Sequence, residues 1–224
     1  MTPPPPRVLK HTHACVEVQR GPDRIVVDPG ALGQPPSLDG CGGVLISHGH
    51  YDHADVPLLE QAVKAEIPVF GPADLGATVG SQALAAYMTV LRPGEHHLIG
   101  GFSVDVVGGR HAAVHPEHPG PENLGYMIDG RILITGDEHP HVDAAVDVLV
   151  TPVDAPWLRA VDLIDFVRRV EPGTVIGVHD GLLNDAGLAV ADAVLTSLPR
   201  EGADAAVRLA IGDYYDLSPG AAVR

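Results

Sequence analysis

Between Ser47 and Asp55 the chain reads SHGHYDHAD, three histidines and two aspartates directly behind the apolar run GGVLI. Four of these residues, His48, His50, Asp52 and His53, put imidazole and carboxylate donors on one tight turn, a crowding that is costly unless something cationic holds them. His48 and His50 stand two apart, so on extended backbone they point the same way and can clamp one ion. Asp52 and His53, past the bend, face a second position. Further donors stand at the ends of later strands: His111 in VVGGRHAAVHP, Asp137 in ILITGDEH and His179 in VIGVHDG. The chemistry expected of such a set is the binding of metal ions.

The elements that must position these residues are legible as short apolar runs between turns. Cys15 to Arg20, the turn GPD and Arg24 to Asp28 read as a hairpin leading into the loop PGALGQPP. Gly43 to Ser47 reads as a buried strand presenting its carboxyl end to the histidine-rich loop. Asp55 to Ala65 has an acidic cap, a proline in the first turn and apolar residues at Val56, Leu59 and Val63, as an amphipathic helix requires. PVFG is a further short strand. From Met88 to Ile134 strands prevail, including Phe102 to Val107 and Arg131 to Ile134, and the pair flanking Asp129 and Gly130 makes a hairpin. DVLVTPV and Thr174 to Val178 read as buried strands, and Leu158 to Val170 and Gly187 to Leu198 as helices. The proline-rich residues 1–6 are set aside as an extension, leaving 7–224 as one domain of the α/β class, two sheets face to face with helices outside.

Composition narrows the partners. The chain has 224 residues, 45% of them apolar and 4% aromatic, so its core is built from Val, Leu, Ile and Ala. With 14 basic against 29 acidic residues the formal charge is −15, which opposes a phosphate backbone and argues against nucleic acid. Cys15 and Cys41 show no CxxC spacing and read as two free thiols in a reducing compartment. No apolar run approaches the ~20 residues that span a bilayer, and the N-terminus lacks a secretory signal, so a cytoplasmic protein without membrane partners is expected.

The motif HxHxDH, present as His48, His50, Asp52 and His53, together with His111, the Gly-Asp turn at Asp137 and the final His179, resembles the metallo-β-lactamase superfamily over essentially the whole chain. The resemblance implies a four-layer αββα sandwich of two mixed β-sheets flanked by helices. It also implies that His48, His50 and His111 hold a first metal, that Asp52, His53 and His179 hold a second, and that Asp137 bridges them. Two divalent ions, zinc by default with manganese or iron as other choices, then supply a hydroxide, and Asp52 orients it or passes a proton as the catalytic side chain.

The remaining candidates have weaker signals. THA at Thr12 to Ala14 is similar to a GHA stretch in the single-domain branch resembling ascorbate-phosphate lactonase, which would bring His13 to the margin of the site or leave it in the packing. Asp28 in IVVDPG would support the metal ligands from behind, or form an Asx turn before Pro29. Tyr51 contacts substrate or faces solvent. His115 competes with His111, and the loop His115 to Asn123 would lie beside the entrance. His139 would line the pocket or stay solvated, Trp157 would form one wall of the cleft or pack beneath a helix, and Arg110 and Arg159 are the only arguable anchors for a phosphorylated substrate. The chain is therefore expected to be a dinuclear hydrolase of a small ester, lactone or amide, with homo-oligomers common among related proteins. A phosphodiesterase, or a metal-binding or ligand-sensing protein without catalysis, are the other readings.

Overall fold

In the computed structural model, which describes residues 4–218, the alternation of apolar residues in the strands is divided between two sides of each sheet. The first sheet contains β1 (Arg7–Lys10), β2 (Val16–Arg20), β3 (Asp23–Val27), β4 (Val44–Leu45), β5 (Val69–Gly71) and β6 (Thr89–Val90). The second contains β7 (His96–Ile99), β8 (Phe102–Gly108), β9 (Leu124–Ile128), β10 (Ile132–Ile134), β11 (Val148–Pro152), β12 (Thr174–Val178) and β13 (Ala205–Val207). The last strand, β14 (Tyr214–Asp216), returns to the first sheet and pairs antiparallel with β1, Arg7 opposite Asp216. Both sheets are mixed: β3 to β6 run parallel to one another, as do β10 to β13, and the remaining pairs are antiparallel.

Residues of one parity meet between the sheets. Val16, Val18, Ile25, Val27 and Leu45 of the first pack with Val104, Val106, Tyr126, Ile132, Ile134, Val148, Val150 and Ile176 of the second. The opposite parity faces outward under helices. Val26, Val44, Ile46 and Val69 are covered by α1 (Val56–Lys64), α2 (Leu75–Val79) and α3 (Gln82–Tyr87), through Leu58, Leu59, Leu75 and Leu84. Met127, Leu133, Leu149 and Val175 are covered by α4 (Ala160–Val170) and α5 (Asp185–Ser197), through Leu163, Phe166, Val167 and Leu195. This is the αββα sandwich, held mainly by burial of apolar surface.

Several details differ from the sequence reading. The short helices α2 and α3 and the strands β13 and β14 had no clear periodicity to announce them. Of the prolines set aside from the fold, residues 1–3 lie outside the described residues, while Pro6 is buried and its carbonyl accepts the Leu217 N–H at 3.1 Å. As expected, Cys15 and Cys41 are free thiols, and both are buried. No helix among the described residues is long and apolar enough to cross a membrane.

The sheets are tied together at one end of the sandwich. The Tyr126 hydroxyl donates to the Ile46 carbonyl at 2.6 Å, and the Leu124 N–H to the Ser47 carbonyl at 2.9 Å. That is the end where β4, β8, β10 and β12 finish, the carboxyl side at which α/β sheets present their loops to ligands.

Candidate metal centre

Each predicted donor leaves a strand end in a conformation that the local sequence secures. The loop after β4 closes through His53 N–H and Ala54 N–H, which both donate to the His50 carbonyl at 3.0 and 2.9 Å. The segment after β3 clamps that loop: Asp55 N–H reaches the Pro29 carbonyl at 2.9 Å, and Ala31 N–H the Tyr51 carbonyl at 2.8 Å. Gly30 makes the approach possible, since a Cβ there would lie 1.8 Å from the Asp52 carbonyl oxygen. Asp137 is reached through Gly136 at φ +58, where a Cβ would strike Asn123 Oδ1 and Ser47. Asn123, fully buried, accepts the Asp137 N–H at 3.0 Å and donates to the Thr135 carbonyl at 3.0 Å. It therefore sets Asp137 from behind and does not stand at the entrance. His13, Asp28 and His179 all adopt positive φ (56, 50 and 65°), an uncommon conformation for residues with a side chain, and all three surround the centre.

The seven predicted ligands converge. Donor atoms of His48, His50 and His111 lie within 4.8 Å of one another, as do those of His13, Asp52, His53 and His179, and those of His48, His53 and Asp137. Asp137 stands between the first two groups, with Oδ2 3.2 Å from His111 Nε2 and 3.4 Å from His179 Nε2, and Oδ1 3.3 Å from His53 Nε2.

Hydrogen bonds behind the histidines settle which nitrogen faces the centre. His111 Nδ1 lies 2.7 Å from the Ala112 carbonyl and His53 Nδ1 2.9 Å from Asp28 Oδ2, so both carry their proton on Nδ1. Ser47 Oγ donates to Asp28 Oδ2 at 2.6 Å and therefore accepts from His48 Nδ1 at 3.0 Å. Asp28 also accepts the Ser47 N–H at 2.6 Å, so it backs the ligand loop rather than forming only an Asx turn. All three imidazoles thus turn an Nε2 lone pair inward. His53 Nε2, His111 Nε2, Asp137 Oδ1 and both ring nitrogens of His179 are buried without a hydrogen-bond partner among the described residues. Buried polar atoms are normally satisfied, and a divalent cation among these donors would satisfy them. The imidazole and carboxylate set fits such an ion.

Electrostatics follow from this crowding. Burial pushes the His48 pKa well below the usual histidine range. Burial alone would raise Asp137, but His53, His111 and His179 outweigh it and hold the carboxyl well below the ordinary range. Asp52, raised by burial, is brought down to about 2 by the hydrogen bond from His13 and the nearby His53 and His179.

Other candidates separate clearly. His115 is exposed and pairs with His118, away from the converging donors, so it does not replace His111 in the cluster. Tyr51 is 61% exposed. His139 stacks on Phe166 at 4.4 Å rather than joining the cluster, and burial lowers its pKa to about 4. His13 is fully buried against His179, with ring centroids 3.9 Å apart.

Trp157 takes the cleft side of its two readings: its indole N–H donates to Asp137 Oδ2 at 3.0 Å, and its ring meets His111 and His139 edge-on. One contributor escaped the sequence reading. Lys10 is wholly buried and donates to the His11 and His13 carbonyls at 2.7 and 2.6 Å and to Asp180 Oδ1 at 3.1 Å, fixing the loop that carries His13. Burial lowers its pKa, with Asp180 opposing.

Known proteins share the family and the fold of this chain. Residues 7–179 match the profile of the beta-lactamase superfamily domain. Protein Rv0786c of Mycobacterium tuberculosis is 30% identical over 181 residues, which cover 76% of this chain and 82% of that protein. A UPF0173 metal-dependent hydrolase of Desulfitobacterium hafniense is 34% identical over 120 residues, about half of either chain (50% and 48%). In structure, Igni18, a metallo hydrolase of Ignicoccus hospitalis, superposes with a TM-score of 0.70 at 14% identity, covering 96% of this chain and 99% of its own.

Proposed function

Because the chain belongs to the beta-lactamase superfamily and is a metal-dependent hydrolase of that family, we propose that it holds two divalent ions and cleaves an uncharged small ester, lactone or amide. The observation that carries this reading is the pair of inward-facing donor groups with Asp137 between them. His48, His50 and His111 would hold one ion, Asp52, His53 and His179 the other, and Asp137 both. When bound, two such ions supply hydroxide at neutral pH and polarise the substrate oxygen.

The chain's own residues do the rest. Asp28 keeps His53 and, through Ser47, His48 in the tautomer that offers Nε2. Asn123 and Trp157 fix Asp137 through its N–H and its Oδ2. Asp52 retains 13% exposure of its side chain, against 5% for Asp137, so it is the better placed carboxylate to pass a proton to a leaving group.

Charge favours an uncharged substrate. Arg159 is engaged by Asp162, with Nε and Nη2 donating at 2.8 and 2.6 Å, which leaves Arg110 alone of the two suggested phosphate anchors. The ion content of the purified protein, followed by a panel of lactones, esters, amides and bis-p-nitrophenyl phosphate with zinc, manganese and iron, tests the proposal. About two ions per chain and faster turnover of carboxyl derivatives are expected. A single ion, or preference for the phosphodiester, would overturn it.

A further inference from the structure

His13 belongs, by distance alone, to the second donor group, within 4.8 Å of Asp52, His53 and His179. We infer that His13 is not an eighth ligand but a fixed hydrogen-bond donor that positions Asp52, an inference that rests on the dinuclear reading above.

Its hydrogen bonds run opposite to those of the inward-facing ligands. His13 Nδ1 accepts the Gly181 N–H at 3.0 Å. A neutral imidazole has one N–H, so the proton sits on Nε2, which lies 3.3 Å from Asp52 Oδ2. With Nε2 protonated there is no lone pair to offer a metal. Nor can the ring relay a proton, since Nδ1 faces an amide that cannot ionise. What remains is donation to Asp52 Oδ2, which also lies 3.6 Å from His179 Nε2, so the bond fixes that carboxylate beside the cluster.

The protein holds His13 in this pose from several directions. Its carbonyl accepts the His179 N–H at 3.1 Å and Lys10 Nζ at 2.6 Å, and its backbone is kept at φ +56. Gly181 allows the close approach of its amide, because a Cβ there would meet the His13 ring nitrogen at 3.1 Å. The same contacts couple Asp52, on the loop after β4, to His179, at the end of β12. His13 is thus a positioning residue shared by two donors of one metal position.

Long-range proton–nitrogen correlation spectra of the nitrogen-15-labelled, zinc-loaded protein read the tautomer directly, with His13→Gln used to assign the ring and elemental analysis made on the same samples. Expected are a protonated Nε2 and a bare Nδ1 at His13, and an unchanged ion content in His13→Gln, whose amide can still donate to Asp52. His13→Ala should keep its ions but lose about 10- to 100-fold in kcat, with His13→Gln restoring most of the loss. An unprotonated, metal-shifted Nε2, or loss of one ion in His13→Gln, would overturn the inference. If the wild type holds fewer than two ions, the dinuclear reading fails instead, and the spectrum still reports the His13 tautomer.

Discussion

Asp137 faces both donor groups, so its removal should be felt by both. Asp137→Ala is expected to lower the ion content below one per chain and abolish hydrolysis while the fold persists; full ion content in the variant would refute the bridging role. Trp157 is the only tryptophan in the chain and donates to that same carboxylate. Its emission should therefore change as metal-free protein is titrated with zinc, and Trp157→Phe should weaken binding by about tenfold or more. An emission spectrum blind to metal, with unaltered affinity in the variant, would remove Trp157 from the site. At this scale the ligands were legible because the donors crowd into one motif and into strand-end turns. Lys10 was not, because it acquires its role from Asp180, far along the chain; His13 and Trp157 were each read with a packing alternative, because the partners that decide between the two, Asp52 and Asp137, lie elsewhere in the sequence.

Elements are secured by close approach as much as by burial. The segment after β3 lies so near the ligand loop that Gly30 has no room for a methyl group beside the Asp52 carbonyl. Gly30→Ala should cost at least the ~1–3 kcal/mol of an overpacked site and, by displacing Asp52 and His53, lose metal as well. Leu59→Ala gives the contrasting case. It opens a cavity under α1, in the outer layer of the first sheet, and should cost about 2–5 kcal/mol while leaving metal affinity intact. Denaturant unfolding and metal titration of the two variants separate these effects, and equal loss of metal in both would contradict the distinction. Strands such as β10 and β11 were readable from unbroken apolar runs, buried on both faces. The helices α2 and α3 have only five and six residues, too short to display a period, and β13 and β14 only three each.

For the molecule as a whole, acid stability should depend on a carboxylate outside the donor cluster. Glu17 is buried on β2, which alone would raise its pKa, but Arg24 holds both its oxygens at 2.7 Å and with His11 and Gln19 brings it down to about 2. A depressed carboxylate stabilises the folded state above its unfolded value, near pH 4.5, and that contribution fades as pH falls towards about 2. In metal-free protein, wild-type stability should drop through this window by at most about 3 kcal/mol on account of Glu17. The Glu17→Gln variant should lack that part of the slope. Parallel profiles of the two proteins, followed by chemical unfolding across the acid range, would exclude it. The sandwich itself was foreseen from the motif family and the strand pattern together; the return of β14 to the first sheet was not, since a three-residue edge strand carries little signal.

That return gives assembly an order in time. The second sheet is drawn from one continuous stretch, β7 to β13, whereas the first is complete only when Tyr214–Asp216 reaches β1. The donors obey the same schedule: four stand within His48–His53, yet they must wait for His111, Asp137 and His179. During synthesis, the donors of one group, His48, His50 and His111, are therefore all made before Asp137, which stands between the groups, and before His179, which completes the other.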